Sequence, residues 1–405
     1  MQKENIKPNF EFIALMAALM SIVALSIDAL LPAISEIGSA IDSFDATDNQ
    51  LLITMIFLGL GIGQLFFGPL SDTFGRKPMI YFGFALFGLA SIICLMATSL
   101  EWMIVGRIIQ GIGLSSARTI SISIIRDTYS GDYMAKVMSF VTAFFILVPV
   151  VAPAIGKGVM DVFGWKAIFY MQLIMALVVL IWFWRRQPET LHPEYKVPFS
   201  RHIFVDGVKE LLKYKETLAF TLISGLITGS FLVYLSASQH IFEDIYGLKN
   251  AFPYIFAGLS IAIGLSTFLN GTLVMRFGMR NLSLAALVMF CGVALIYVIL
   301  FWNSGNPDIL VLIGFLSLQF FCLGFMWGNF RSIAMEPIGH IAGIGAAITG
   351  FISTLFSIPI AAFVGSFIQE SVWPMFVGLA ICGFISLGIF LAMRAIVFRM
   401  SKRLA

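Results

Sequence analysis

Asp28 stands among Ala24, Leu25, Ile27 and Leu30, inside an apolar run long enough to cross a bilayer. An ionisable group in such a run is costly and usually faces a cavity or a partner. A carboxyl held between a desolvating apolar wall and a nearby cation can take up and release a proton near neutral pH. Two cations occupy a later apolar run, Arg107 and Arg118. Eleven residues separate them, about 1100° of helix, so they share a face and lie ~16 Å apart along the axis with Gln110 and Leu114 between. Arg107 and Asp28 both fall in the outer half of the membrane. Arg118 lies deeper, and facing a cavity it attracts a carboxylate, phosphate or sulfonate. Plainer readings stand beside these. Asp28 caps a helix break at Pro32, Arg107 snorkels toward a helix end, and Arg118 pairs internally with Asp28 or Asp127.

The elements that carry these groups are membrane spans. The chain has 405 residues, 59% hydrophobic and 12% charged, and a mean hydropathy of +0.96. Soluble domains carry about 25% charged residues, so this chain lacks the polar surface to face water. A net charge of +3, spread over loops, excludes a nucleic-acid binder. At roughly 20 apolar residues per span, twelve spans are predicted near 12–34, 48–70, 79–99, 102–125, 135–157, 164–185, 216–238, 251–273, 281–302, 308–332, 341–366 and 372–394. The first run is too long for a signal-peptide core and has no small-residue cleavage site. Cys94, Cys291, Cys322 and Cys382 all lie in apolar runs without paired spacing and read as packing residues. No zinc-ligand spacing and no ATPase-type phosphate loop occurs, so no enzyme, metal or cofactor is expected and an ion gradient is the expected energy source.

Charge sets direction. With a cytoplasmic N-terminus, outside segments hold only Lys157, Lys166 and Lys249, and every Lys or Arg other than these and the two intramembrane arginines lies inside. Such bias orients short loops and predicts both termini cytoplasmic. Residues 186–215 form a charged cytoplasmic linker between a first lobe, 1–185, and a second, 216–405. Within it Phe204, Val208, Leu211 and Leu212 recur at helical spacing, between Asp206, Lys209, Glu210 and Lys213. That pattern suits an interfacial helix, or a solvated tether. The short hinge Gly68-Pro-Leu-Ser-Asp-Thr-Phe-Gly-Arg-Lys-Pro78 after the second span is echoed by Gly271-Thr-Leu-Val-Met-Arg-Phe-Gly-Met-Arg280 after the eighth. Internal repeats of this kind mark transporters with two related halves.

The first of these hinges resembles the loop signature of the major facilitator superfamily, and Arg107-Ile-Ile-Gln-Gly-Ile-Gly113 resembles its fourth-helix motif. Ile27-Asp-Ala-Leu-Leu-Pro-Ala33 and Glu336-Pro-Ile-Gly-His-Ile-Ala-Gly343 are similar to the Bcr/CflA-type branch of drug:H+ antiporters. The resemblance implies an all-α membrane protein of twelve helices in two pseudo-symmetric six-helix lobes around a cavity exposed alternately to each side. It implies proton-coupled export of small molecules, drug or metabolite, across the bacterial inner membrane, with Asp28 and Arg107 carrying proton coupling. Gly68, Asp72, Gly75, Arg76 and Lys77, with Arg276 in the second half, would form a conformational gate. The fifth-helix antiport motif is eroded. In Val148-Pro-Val-Val-Ala-Pro-Ala-Ile-Gly-Lys157, Ala152 precedes Pro153 and Lys157 follows Gly156, although Pro149, Pro153 and Gly156 still suit a kinked helix. Arg118 has no place in the branch pattern.

Polar candidates for the cavity are Arg118, Gln110, Tyr234, Gln239, Asn270, Gln319, Trp327 and Asn329; singly, each also suits an inter-helix hydrogen bond. The expected partners are a small-molecule substrate, protons and the lipid bilayer, with the protein a monomer. Arg118 favours a second reading, an exporter of an anionic metabolite or siderophore. The eroded motif favours a third, a proton-coupled importer, and a membrane sensor without transport is the reading from another class.

Overall fold

The computed structural model describes residues 9–43, 45–129, 131–196 and 202–404. Lys3, Lys7 and Arg201, three of the inner cations, lie outside these residues, as does the Phe204 side chain. The described chain is all α-helical in its regular structure, and twelve helices are long and apolar enough to cross a membrane. Each span expected from the sequence falls on one of them.

The first unit ends at Arg201. Helix α1 (Phe10–Asp28) starts on Asn9, whose side chain accepts from the Glu11 N–H at 3.0 Å. It ends at Asp28 because Pro32, two positions past Leu30, cannot continue its hydrogen bonding; one 3₁₀ turn, Leu31–Ala33, leads into α2 (Ile34–Ala40). Next come α3 (Ala46–Phe74), α4 (Arg76–Met96), α5 (Leu100–Thr128), α6 (Gly131–Phe163) and α7 (Lys166–Arg186). Helix α6 runs on through Pro149 and Pro153. Helices α3 and α5 approach until backbones touch: a Cβ on Gly59 would lie 2.0 Å from the Ile108 carbonyl oxygen, and one on Gly111 2.1 Å from that of Ile56. Without water between spans, such small-residue contact replaces hydrophobic burial as the force that joins helices. Glu11 accepts from Arg186 Nε at 2.5 Å and Nη2 at 2.7 Å, and from Trp182 Nε1 at 3.2 Å, clasping the start of α1 to the end of α7.

The second unit begins at His202 with α8 (His202–Leu212), then α9 (Lys215–Gln239), α10 (Phe252–Phe277), α11 (Met279–Leu300), α12 (Ile309–Met335), α13 (Ala342–Gly365) and α14 (Trp373–Leu404). A π-helical turn, His240–Ile245, prolongs α9. The pairing pattern repeats that of the first unit: α9 packs on α13 as α1 does on α6, and α10 on α12 as α3 does on α5. Gly324 sets the second contact, where a Cβ would meet Ser266 Oγ at 1.9 Å and the Ile263 carbonyl oxygen at 2.7 Å. Helix α8 is docked rather than tethered. Gly207 lies against Ile344 and Ile348 of α13 and Leu211 is buried, while Val205, Val208 and Leu212 stay exposed. The apolar stripe read from the sequence is thus divided between α13 and the outer surface.

The α3–α5 contact is rigid because the opposing atoms are backbone. Gly111→Val is expected to lower the apparent melting temperature of the detergent-solubilised protein, by a cost of about 1–3 kcal/mol for overpacking. Gly258→Val on α10, where a Cβ meets no neighbour, is the matched control and should leave the melting temperature unchanged.

Candidate functional site

Arg107 is fully buried on α5. Its guanidinium is met by neutral oxygens: Nε donates to the Leu52 carbonyl at 2.9 Å, Nη1 to Gln110 Oε1 at 2.8 Å, and Nη1 and Nη2 to the Ser26 carbonyl at 3.3 and 3.4 Å. Gln110 Nε2 passes the network on to Ser91 Oγ at 2.8 Å, and Ser91 donates to the Phe87 carbonyl at 2.8 Å. One cation thereby ties α1, α3, α4 and α5 together. A buried charge needs its donors satisfied, and here carbonyl dipoles do so in place of a carboxylate.

Asp28 is 6% exposed and lies two residues beyond the Ser26 carbonyl, at the last turn of α1. Among the described residues no hydrogen bond or ion pair engages its carboxyl. The break beside it is clamped from α6: a Cβ on Gly156 would stand 1.9 Å from the Ala29 carbonyl oxygen, so only glycine permits this approach. Asp28, Arg107, Gln110 and Gly156 are therefore brought to one level of the first unit. Gln110 serves there as the link from Arg107 to Ser91 rather than as a free cavity group. Arg118 is half-buried and is not a free cation, since it makes an interaction of its own; Asp127, one of the two carboxylates suggested for it, bonds Arg76 and Thr190.

Asp127 belongs to the hinge. Arg76, 2% exposed, donates through Nη1 to Asp72 Oδ1 at 2.5 Å and Ser71 Oγ at 2.7 Å, and through Nε to Asp127 Oδ2 at 2.8 Å. Gly75 has φ +111°, a conformation L side chains rarely adopt, and opens α4 without a capping side chain. Glu189, from the segment after α7, supplies the cap: its carboxylate accepts the N–H groups of Arg76 and Lys77 at 3.0 Å each, and those of Thr190 at 2.9 Å and Leu191 at 3.0 Å. Lys77 Nζ reaches the Trp184 carbonyl at 3.4 Å, and Thr190 Oγ1 reaches Asp127 at 3.3 Å. The clasp joins the ends of α3, α4, α5 and α7. Gly68, two turns inside α3, accepts from Ser71 Oγ at 2.8 Å, and a Cβ added there would lie 3.8 Å from Thr119 Cγ2.

The second unit keeps the backbone of this hinge and not its charges. Gly278 has φ +77° and opens α11 as Gly75 opens α4, but Met275 takes the place of Asp72. Arg276 is exposed, with its guanidinium 5.3 Å from the Phe277 ring centroid. The ionic contacts are made by Arg280, with Glu216 at the start of α9 and with Glu336 at 3.0 Å. Of the other polar candidates, Asn270 and Asn329 exchange reciprocal bonds of 3.2 and 2.9 Å between α10 and α12, and Gln319 donates to the Phe290 carbonyl of α11 at 3.1 Å. Gln239 donates to Glu243 at 2.8 Å within the π-helical turn. Tyr234 packs edge-on to Phe320 at 4.6 Å and Trp327 edge-on to Phe231 at 4.8 Å.

Sequence reasoning passed over Ser91, Glu189, Glu243 and Arg280. Glu189 alone carried a signal, as an acid one residue past Pro188 in a segment otherwise biased to cations. Burial raises its pKa, but the N–H donors of Leu191, Lys77, Arg76 and Thr190 outweigh that and hold it below the usual glutamate value. With the folded pKa depressed, the clasp is at full strength above the ordinary glutamate range and weakens as pH falls through the lowered value. Glu189→Gln is expected to lower the melting temperature at neutral pH by on the order of 2–4 °C. The gap from wild type should close in buffers acidic enough to protonate the carboxylate.

The sequence matches the family model described as Major Facilitator Superfamily over residues 13–361. The chain is 27% identical over 390 residues to a bicyclomycin resistance protein homolog of Haemophilus influenzae, covering 94% of this chain and 95% of the relative. It is 29% identical over 355 residues to the multidrug resistance protein MdtL of Klebsiella pneumoniae, covering 84% and 86%. An uncharacterized MFS-type transporter of Bacillus subtilis, YdgK, is 28% identical over 345 residues, covering 84% and 85%. A crystal structure of a D-xylose-proton symporter superposes with a TM-score of 0.72 over 93% of this chain and 97% of that one, at 14% identity, which is a likeness of fold.

Proposed function

This chain belongs to the Major Facilitator Superfamily, and we propose that it is a proton-coupled antiporter exporting small molecules, drugs or metabolites, by alternating access. Two of its relatives are described as a bicyclomycin resistance protein homolog and a multidrug resistance protein, which supports an efflux role. The observation that carries the reading is Asp28: a carboxyl buried at a helix break inside a span, without an ion-pair partner, two residues from the carbonyl that holds the buried Arg107. A group so placed takes up a proton without breaking a salt bridge, while burial makes its charged form the costly one.

In this reading Asp28 is protonated from the outside and loses its proton when substrate enters from the inside. Arg107 acts through the backbone. Its bonds to Ser26 hold the turn that ends in Asp28, so the charge state of the carboxyl and the position of α1 are linked by one network. Proton and substrate need not be bound together; they compete. The charge asymmetry of the loops supports an inner-membrane orientation with both termini in the cytoplasm. The clasp around Arg76 is the element that would open and close during the cycle.

Asp28→Asn is the test. Substrate-induced proton release from the purified protein should disappear while the protein still folds. Full release from the variant would place the proton site elsewhere and overturn the reading.

Arg118 supports a narrower reading of the substrate. It stands half-buried on the Arg107 face of α5, eleven residues deeper, and a cation there favours cargo with an acidic group. A charge-assisted hydrogen bond is worth about 1.5–3 kcal/mol. Arg118→Met should therefore weaken binding of acidic ligands by about 10- to 100-fold and spare neutral ones, as read in a thermal-shift screen. Unchanged binding of every acidic ligand would remove Arg118 from the site.

A further inference from the structure

Gln172 of α7 is fully buried, and both its Nε2 and its Oε1 lack a hydrogen-bond partner among the described residues. An unmade pair of this kind is expensive, about 1–3 kcal/mol per group, and sites that retain one usually put it to use. Its level in the membrane follows from the Glu11–Arg186 clasp. Glu11 and Arg186 set the register of α1 against α7. Seventeen residues of α1 lead from Glu11 to Asp28 and fourteen of α7 lead from Arg186 back to Gln172. At 1.5 Å per residue these are climbs of about 25 and 21 Å. Gln172 also lies at about 40° from Arg186 around α7, on the side that faces α1. Ile168 and Phe169, one turn before Gln172, also belong to the buried apolar cluster that includes Leu25 and Ala29, on either side of Asp28.

Two buried polar groups, one carboxyl and one amide, neither with a partner among the described residues, thus sit on neighbouring helices within a turn of each other in depth. We propose that Gln172 is a positioning residue for Asp28, the polar partner its carboxyl takes when α1 moves at the break after residue 28. The inference rests on Asp28 as the proton site. An amide suits that role because it serves both charge states: Nε2–H donates to the carboxylate, and Oε1 accepts from the carboxylic acid. A lysine or arginine would instead lock the carboxylate form. Among the described residues of the neighbouring helices, Arg107 on α5 is bound to carbonyls, Lys157 on α6, next to the Gly156 that meets Ala29, is held by Asp161 at 3.1 Å, and Cys94 on α4 shares the buried cluster of Leu25 and Ala29. Between Lys166 and Arg185, α7 contributes Tyr170 and no charge.

Gln172→Leu separates a positioning role from a structural one because the two predict opposite pairings of stability and function. Removal of an unpartnered amide should hold or raise the melting temperature. If Gln172 positions Asp28, transport should nonetheless fall at least tenfold, and the pH midpoint of substrate-triggered proton release should move by a unit or more. Gln172→Asn, which keeps the amide, should recover part of both. Wild-type transport and an unmoved midpoint in the Leu variant would overturn the proposal. Loss of folding in both the Leu variant and a Gln172→Met variant would also overturn it, because it would show that the amide is already needed in this conformation. Asp28→Asn runs alongside: retained proton release there would fail the antiport reading itself, whereas its loss beside a wild-type Leu variant would fail Gln172 alone.

Discussion

A guanidinium with no counter-ion holds the first unit together. Moving a full charge out of water is costly unless its donors find acceptors, and Arg107 makes four such bonds, to the Leu52 and Ser26 carbonyls and to Gln110. Because two of those acceptors are backbone, the network fixes the positions of helices, not merely of side chains. It also leaves Asp28 outside. A direct Asp28–Arg107 salt bridge would have held the carboxylate in its charged form; here Arg107 bonds the Ser26 carbonyl, two residues before Asp28, so the two side chains are connected only through one turn of backbone.

The hinge end of the same unit is built on the opposite principle. There the buried Arg76 is surrounded by real anions, Asp72 and Asp127, with Glu189 capping the helix that Arg76 begins. A clasp of paired charges is strong when closed and cleanly broken when its partners separate, because each ion regains water on release. The membrane level thus has a network that persists, and the aqueous edge has one suited to making and breaking.

Much of this was legible before any coordinates. Twelve spans follow from length and hydropathy, since a bilayer admits little else, and Asp28 and Arg107 stand out because charge in a span is rare. The hinge at Gly68–Pro78 was readable too, since Gly75 and Gly278 mark turns that only glycine makes comfortably. What escaped were bonds to backbone and bonds across long separations. Gln110 read as a cavity residue because nothing in the chain announces Ser91, nineteen residues earlier, as its acceptor. Arg276 is the residue of the second hinge expected in the gate, yet Arg280, at the place of Lys77 in the repeat, makes the ion pairs with Glu216 and Glu336. Gln172 gave no signal, since an amide in an apolar run is conspicuous only once its lack of partners is known.

The repeat of the hinge has one more consequence. Both copies keep the glycine turn, but the first encloses its arginine almost completely while Arg280 in the second stays 42% exposed. Screening acts over roughly 8 Å at physiological salt, and it weakens the Arg280 pairs more than the Arg76–Asp127 pair, whose two partners are 2% and 17% exposed. The two halves of a repeated fold have in this way become unequal: the pairs of the buried Arg76 are the less sensitive to added salt, and those of Arg280 the more.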